Sequence, residues 1–124
     1  MDDRITIVDN PESGSYDAAR GDRVIGTIVY KRREDRMVIR HTVVDPQFRG
    51  QGIGQALARR ALDDLAASGT TLTNYCGFIA DYIERNPQYA ALIDPGQPGR
   101  AHPRDAALRA AEQESWASAH QDHS

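Results

Sequence analysis

The segment Val44-Asp45-Pro46-Gln47-Phe48-Arg49-Gly50-Gln51-Gly52-Ile53-Gly54 constrains the fold of this chain more than any other. Pro46 has no amide to donate to a sheet and biases Asp45 away from helical geometry, so an extended run must stop there. From Ile53 onward, Leu57, Ala61 and Leu65, with Ala58 and Leu62 beside them, recur at helical spacing. Arg59 with Asp63 and Arg60 with Asp64 pair one turn apart outside that stripe. A strand therefore hands over to a helix across a short loop in which Gly50, Gly52 and Gly54 alternate. At such a junction free backbone amides and the positive end of the helix dipole favour an anion. Glycine lets the backbone approach phosphate oxygens and adopt positive φ, and Arg49 adds a charge.

Two common phosphate motifs fit this loop poorly. The dinucleotide pattern G-x-G-x-x-G requires glycine where Gln55 stands, and the strands before the loop do not form a βαβ unit. A P-loop requires Gly-Lys followed by Ser or Thr, which does not occur.

The rest of the chain supplies a sheet. Residues 5–8 form a short apolar run followed by the turn signal Asn10-Pro11-Glu12-Ser13-Gly14, and residues 15–19 read as a weaker strand. After Arg20-Gly21-Asp22, residues 24–30 are β-branched and suit a half-buried or central strand. Residues 37–44 alternate, so that Met37, Ile39, His41 and Val43 are expected on one face and Val38, Arg40, Thr42 and Val44 on the other. Together these make an antiparallel meander. Ser68-Gly69 stops the helix, and residues 70–75 return as a strand. The separation of that strand from residues 37–44 suits a crossover, so the two are expected to be parallel neighbours. Phe78, Ile79, Tyr82 and Ile83 predict a short helix stopped near Asn86-Pro87.

Composition narrows the function classes. The 124 residues, 40% of them hydrophobic, suffice for one domain with one core. A formal net charge of -3 gives no electrostatic case for nucleic acid or an anionic membrane. Met1-Asp2-Asp3-Arg4 lacks the apolar stretch of a signal peptide, and no run approaches the roughly 20 apolar residues of a membrane span. A cytoplasmic protein is expected. Cys76 is the single cysteine, which leaves too few thiolates for a zinc site, and no metal is expected. Beyond Ile93, Asp94-Pro95-Gly96-Gln97-Pro98-Gly99 reads as a linker, and residues 105–119 as a marginal alanine-rich helix. The domain is thus expected over residues 1–93, with linker and tail over 94–124.

Val44 through Leu57 closely resembles the coenzyme A signature of the GNAT acetyltransferases, R/Q-x-x-G-x-G/A after a V-x-P strand end. Residues 75–89, Tyr75-Cys76-Gly77-Phe78 through Tyr89, are similar to the small Yjdj-type branch, which often has proline where this chain has Gly77. The resemblance covers most of residues 5–93. It implies an α/β (α+β) fold: a mixed, largely antiparallel sheet, splayed at a central parallel pair and flanked by helices. Acetyl-coenzyme A would enter the splay, with pantetheine along the backbone of Val43 and Val44 and pyrophosphate on the amides of Gln51, Gly52, Ile53 and Gly54. Arg49 and Gly50 complete the expected cofactor-binding set.

Acetyl transfer to an amine requires a base, oxyanion donors and an acid for the departing thiolate. Cys76, at the end of the second splayed strand, reads either as an acyl acceptor or thiolate-side partner, or as a small core residue. His41 reads as a base or thiol activator if it faces the cleft, or as a hydrogen-bonded core histidine among apolar strand mates. Tyr82 resembles the tyrosine often assigned to protonating the leaving thiolate, and equally suits helix packing. His102, His120 and His123 read as surface histidines or an adventitious metal site. Arg32, Arg33 and Arg36 read as a solvated turn, or as a contact for the adenosine 3'-phosphate or an acidic partner. The expected activity is transfer of acetyl to a small-molecule or peptide amine by a monomer or weak dimer. The alternatives are a non-catalytic acyl-coenzyme A sensor and an interaction module with an emptied site.

Overall fold

The computed structural model describes residues 4–99 of the chain. The alanine-rich helix expected at 105–119 and His102, His120 and His123 lie outside the described residues.

Five strands form a single sheet in the order β1-β2-β3-β4-β5. They are β1 (Ile5–Asn10), β2 (Ser15–Arg20), β3 (Arg23–Arg32), β4 (Arg36–Val44) and β5 (Thr71–Asn74). The first four run antiparallel, and β5 pairs parallel to β4. Helix α1 (Ile53–Ser68) makes the crossover between that parallel pair, and α2 (Gly77–Arg85) follows β5. This is the mixed, largely antiparallel sheet with a parallel pair and flanking helices that the sequence implies. Gly69, at φ 68°, caps α1 and donates its amide to Leu65 O, as Ser68-Gly69 predicts.

The stripe of α1 buries Leu57, Ala58, Ala61, Leu62 and Leu65 against one face of the sheet. Tyr16, Ile28, Met37 and Ile39 answer from the strands. Gly26 of β3 sits under this helix. A Cβ there would lie 2.9 Å from Ile53 Cγ2 and 3.2 Å from Leu57 Cδ1, so only glycine lets α1 come this close. The charged residues outside the stripe also anchor the helix. Tyr16 Oη donates to Asp64 at 2.8 Å and Tyr89 Oη to Asp63 at 2.6 Å. Asp64 thus serves Arg60 and the sheet together. The bond to Asp63, then burial, pushes the Tyr89 phenol up to about 12.

The regular alternation expected along residues 37–44 fails at one point. Val29 pairs with His41 but Tyr30 pairs with Ile39, leaving Arg40 as an extra, exposed residue in a β-bulge. The bulge exchanges the two faces beyond it. Thr42 and Val44 join Met37 and Ile39 on the helix-covered side, where Thr42 meets Cys76 and Val44 enters the core. His41 is left with Val38 on the opposite side. The expectation that His41 shares a face with Met37 and Ile39 is therefore corrected.

The stretch read as a linker is tied to the free edge of β5. Asp94 N donates to Leu72 O at 2.8 Å, Asn74 N to Pro98 O at 2.9 Å and Thr73 Oγ1 to Gln97 O at 2.6 Å. No helix among the described residues is long and apolar enough to cross a membrane.

Candidate functional site

Strands β4 and β5 stay together only from Arg36 opposite Thr71 to Ile39 opposite Asn74. Tyr75 N still donates to Ile39 O at 2.9 Å, and there the pairing ends. The residue that parts them is Asn74. Its buried side chain accepts from Cys76 N at 3.0 Å and donates to Cys76 O at 3.0 Å, clamping a tight turn that sends the chain into α2. β4 runs on to Val44 with its β5-side edge unpaired by any described strand.

Backbone alternation decides which groups face this open edge. Asp45 N donates toward β3, to Ile25 O at 2.8 Å. Successive strand amides point to opposite edges, so Val43 also addresses β3, while the peptide groups of Thr42 and Val44 face the gap. Of the two residues expected to meet the pantetheine arm, Val44 presents its backbone to the gap and Val43 pairs with Thr27 of β3.

The gap ends at the glycine loop. Asp45, buried, caps a 3₁₀ turn at Pro46–Phe48: its Oδ1 accepts from Gln47 N at 3.0 Å, and its Oδ2 accepts from Arg23 Nη2 at 2.8 Å. The guanidinium groups of Arg20 and Arg23 each lie over the Phe48 ring, 5.7 Å from its centroid. Gly50 and Gly52 take φ of 83° and 78° with open space where a Cβ would stand, so they are glycines for their backbone conformation. Gly54 is glycine for another reason: a Cβ there would lie 2.7 Å from Phe78 Cζ. Gly52 caps α1 without a side-chain acceptor, and the first helical bond runs from Ala56 N to Gly52 O. The amides of Ile53, Gly54 and Gln55 thus have no helical partner, and no acidic side chain occupies the first turn. They bound a cavity of about 210 Å³ that Val44, Arg49 and Phe78 also line. Gln51 is exposed beside it.

The three candidate catalytic side chains do not converge. Cys76 is fully buried at the start of α2, and its thiol donates to Thr42 Oγ1 at 3.3 Å. His41 is half-buried across the sheet from that pair, because it and Thr42 are strand neighbours on opposite faces. Burial, and secondarily the charge of Arg40, holds the His41 imidazole below its ordinary pKa. Tyr82 lies one turn beyond Phe78 on α2, its ring stacked on Tyr89 with centroids 6.0 Å apart. The expected arginine cluster also divides. Arg32 sits over the Tyr30 ring, while Arg33 and Arg36 face a second cavity, of about 580 Å³, that Arg40, His41, Thr73 and Tyr75 share. Arg36 stands at the far end of β4 from the glycine loop, about 25 Å away at strand rise. That distance removes it from any 3'-phosphate held near the pyrophosphate loop. Among the described residues, no group of three His, Cys, Asp or Glu side chains is placed to hold a metal ion.

Sequence reasoning passed over Asn74, Gly26 and the bulge at Arg40. The first two left a signal, since asparagine ahead of a helix start marks a side-chain-clamped turn and glycine inside a strand marks a close approach.

The sheet opens at a parallel pair, and the glycine loop presents helix-start amides at the mouth of the opening. Residues 15–92 match the GCN5-related N-acetyl-transferase family, and the chain belongs to that family. It is also similar to proteins called NATD1: 34% identical over 59 residues to that of Xenopus tropicalis, and 32% identical over 71 residues to those of Mus musculus and Homo sapiens. The matches cover 46% of this chain for the frog protein and 55% for the two mammalian ones. They span 54%, 64% and 63% of those relatives respectively.

Proposed function

We propose that the protein transfers an acetyl group from acetyl-coenzyme A to an amine, by direct attack in a ternary complex. The observation that carries this reading is the continuity of the open β4 edge with the unpaired amides of Ile53, Gly54 and Gln55. Together they form an extended track for pantetheine ending in an anion site for pyrophosphate. Arg49 supplies a charge at the solvent side of the loop.

His41 is the base in this reading. Its lowered pKa keeps the imidazole neutral near pH 7, ready to take the ammonium or amine proton as the nitrogen attacks the thioester carbonyl. The electrons of the carbonyl move to oxygen, return as the carbon–sulfur bond breaks, and leave coenzyme A as a thiolate. The family resemblance assigns the proton for that thiolate to Tyr82. Cys76 is a packing residue of the cleft wall, because its thiol is sealed from solvent and already hydrogen-bonded. The run from Tyr75 to Tyr89 favours the small Yjdj-type branch within the family, and a cytoplasmic monomer or weak dimer is the form in which we expect it to act.

The test is a titration of the protein with acetyl-coenzyme A, following backbone amides. Shifts centred on Val44 and on Gly52 to Gln55 are expected, followed by thiol release when an amine acceptor is added. Shifts confined to residues 100–124, or no binding, would overturn the reading.

A further inference from the structure

The second cavity, on the sheet face away from α1, has a charge character the donor site does not explain. Arg33, Arg36 and Arg40 line it with His41, Thr73 and Tyr75, and no carboxylate is among its lining side chains. Among the described residues none of these three guanidinium groups makes an ion pair, and Arg36 donates only to Thr73 Oγ1, at 3.0 Å. Other arginines are paired, Arg23 with Asp45, Arg60 with Asp64 and Arg85 with Asp81, but none of those pairs lines this cavity. Three cations lining one concave space repel, and an anionic ligand offsets that repulsion. Their planar forks suit carboxylate or phosphate oxygens. The cavity also reaches the splay where β4 and β5 separate, since Tyr75 and His41, both past the last paired residues Ile39 and Asn74, line it.

We propose that this cavity is the acceptor site and that the acceptor is an amine carrying its own anionic group, a carboxylate or a phosphate, seated on Arg33, Arg36 and Arg40 with its nitrogen toward His41. This rests on the acetyl-transfer reading above for the identity of the nitrogen's partner. The same cations exclude polyamines and other polycationic acceptors, whose charges meet unpaired guanidinium groups.

The experiment uses the full chain saturated with coenzyme A and four probes: 4-aminobutyrate, O-phosphoethanolamine, butylamine and spermidine. Amide shifts of Val38, His41 and Thr73 report binding whether or not turnover occurs. Either anionic probe is expected to bind more tightly than butylamine and spermidine, and the first two arms tell carboxylate from phosphate. The double variant R33Q/R40Q, at exposed positions, should weaken that binding about 10- to 100-fold while coenzyme A binding stays unchanged; R36Q provides a second variant. Equal or tighter binding of butylamine or spermidine, indifference of the anionic probes to the arginine substitutions, or no shift in the cavity would each overturn the proposal. Failure of coenzyme A itself to bind is read separately and counts against the acetyl-transfer reading.

Discussion

The thiol of Cys76 donates a hydrogen bond to Thr42 Oγ1 at 3.3 Å, joining the first residue before α2 to β4 just past the point where β4 and β5 part. Neither group is exposed, so the pair braces the opened sheet from beneath. Cys76→Ala and Thr42→Val should each cost about 1–2 kcal/mol through a small cavity or an orphaned partner. The urea midpoint should fall at constant slope, and the double variant should cost less than the sum because one interaction is shared. Acetyl transfer should survive in Cys76→Ala. A well-folded Cys76→Ala protein that binds coenzyme A but transfers nothing would return the thiol to the chemistry.

Gly54→Ala sets two effects against each other. Alanine favours helix by about 1 kcal/mol over glycine, but the new Cβ would stand 2.7 Å from Phe78 Cζ, closer than real contacts allow. We expect the clash to win, with lower thermal stability and weaker coenzyme A binding as Phe78 is driven toward the cavity it lines with the glycine loop. Removing the ring should reverse the sign: Gly54→Ala introduced into a Phe78→Ala background should stabilise. Calorimetric melting of the four proteins decides it.

The pKa of His41 is lowered by burial and by Arg40, so the unfolded chain takes up a proton at higher pH than the folded protein does. Stability from neutral His41 is fully present above its ordinary value of 6.5 and is lost as pH falls from there through the folded pKa. The acid limb of kcat/KM should accordingly lie below 6.5, and Arg40→Gln should move it upward. Arg33, Arg36 and Tyr75 line the same cavity as His41. An acid limb at or above the ordinary histidine value, or one that His41→Gln leaves in place, would remove His41 from the role of base.

Asp45 holds the entry to the glycine loop from two sides, through Gln47 N and Arg23. The Arg23 side chain is 52% exposed, so its ion pair contributes little and the cap carries most of the effect. Asp45→Ala should cost about 1–2 kcal/mol and loosen coenzyme A binding, whereas Asp45→Asn should retain most of both. Chemical denaturation and calorimetric titration measure the two effects independently.

Much of the glycine loop and of the helix that follows it was legible in the sequence. Pro46, the alternating glycines and the Leu57 stripe are local instructions: each acts through its own backbone or its neighbours within a turn, and α1 begins at Ile53 as that pattern requires. The cavity lined by Arg33, Arg36, Arg40 and His41 was not legible. Arg40 carries no mark of a bulge, and strict alternation placed His41 on the wrong face; the extra residue is defined only by what β3 offers opposite it. The role of Asp63 and Asp64 was half legible, because their helical arginine partners are near in sequence while Tyr89 and Tyr16 are near only in space.

By itself the sequence determined a strand, a turn of fixed stiffness, a glycine loop and an amphipathic helix, since those follow from proline, glycine and apolar spacing along the chain. Only the tertiary structure decided where the sheet opens, which peptide groups face the opening, and that three arginines and a histidine share one cavity across the sheet from Cys76. The physical reason is that register, bulge and strand separation are set by pairs of residues distant in sequence, and a one-residue shift in register reverses every side chain beyond it.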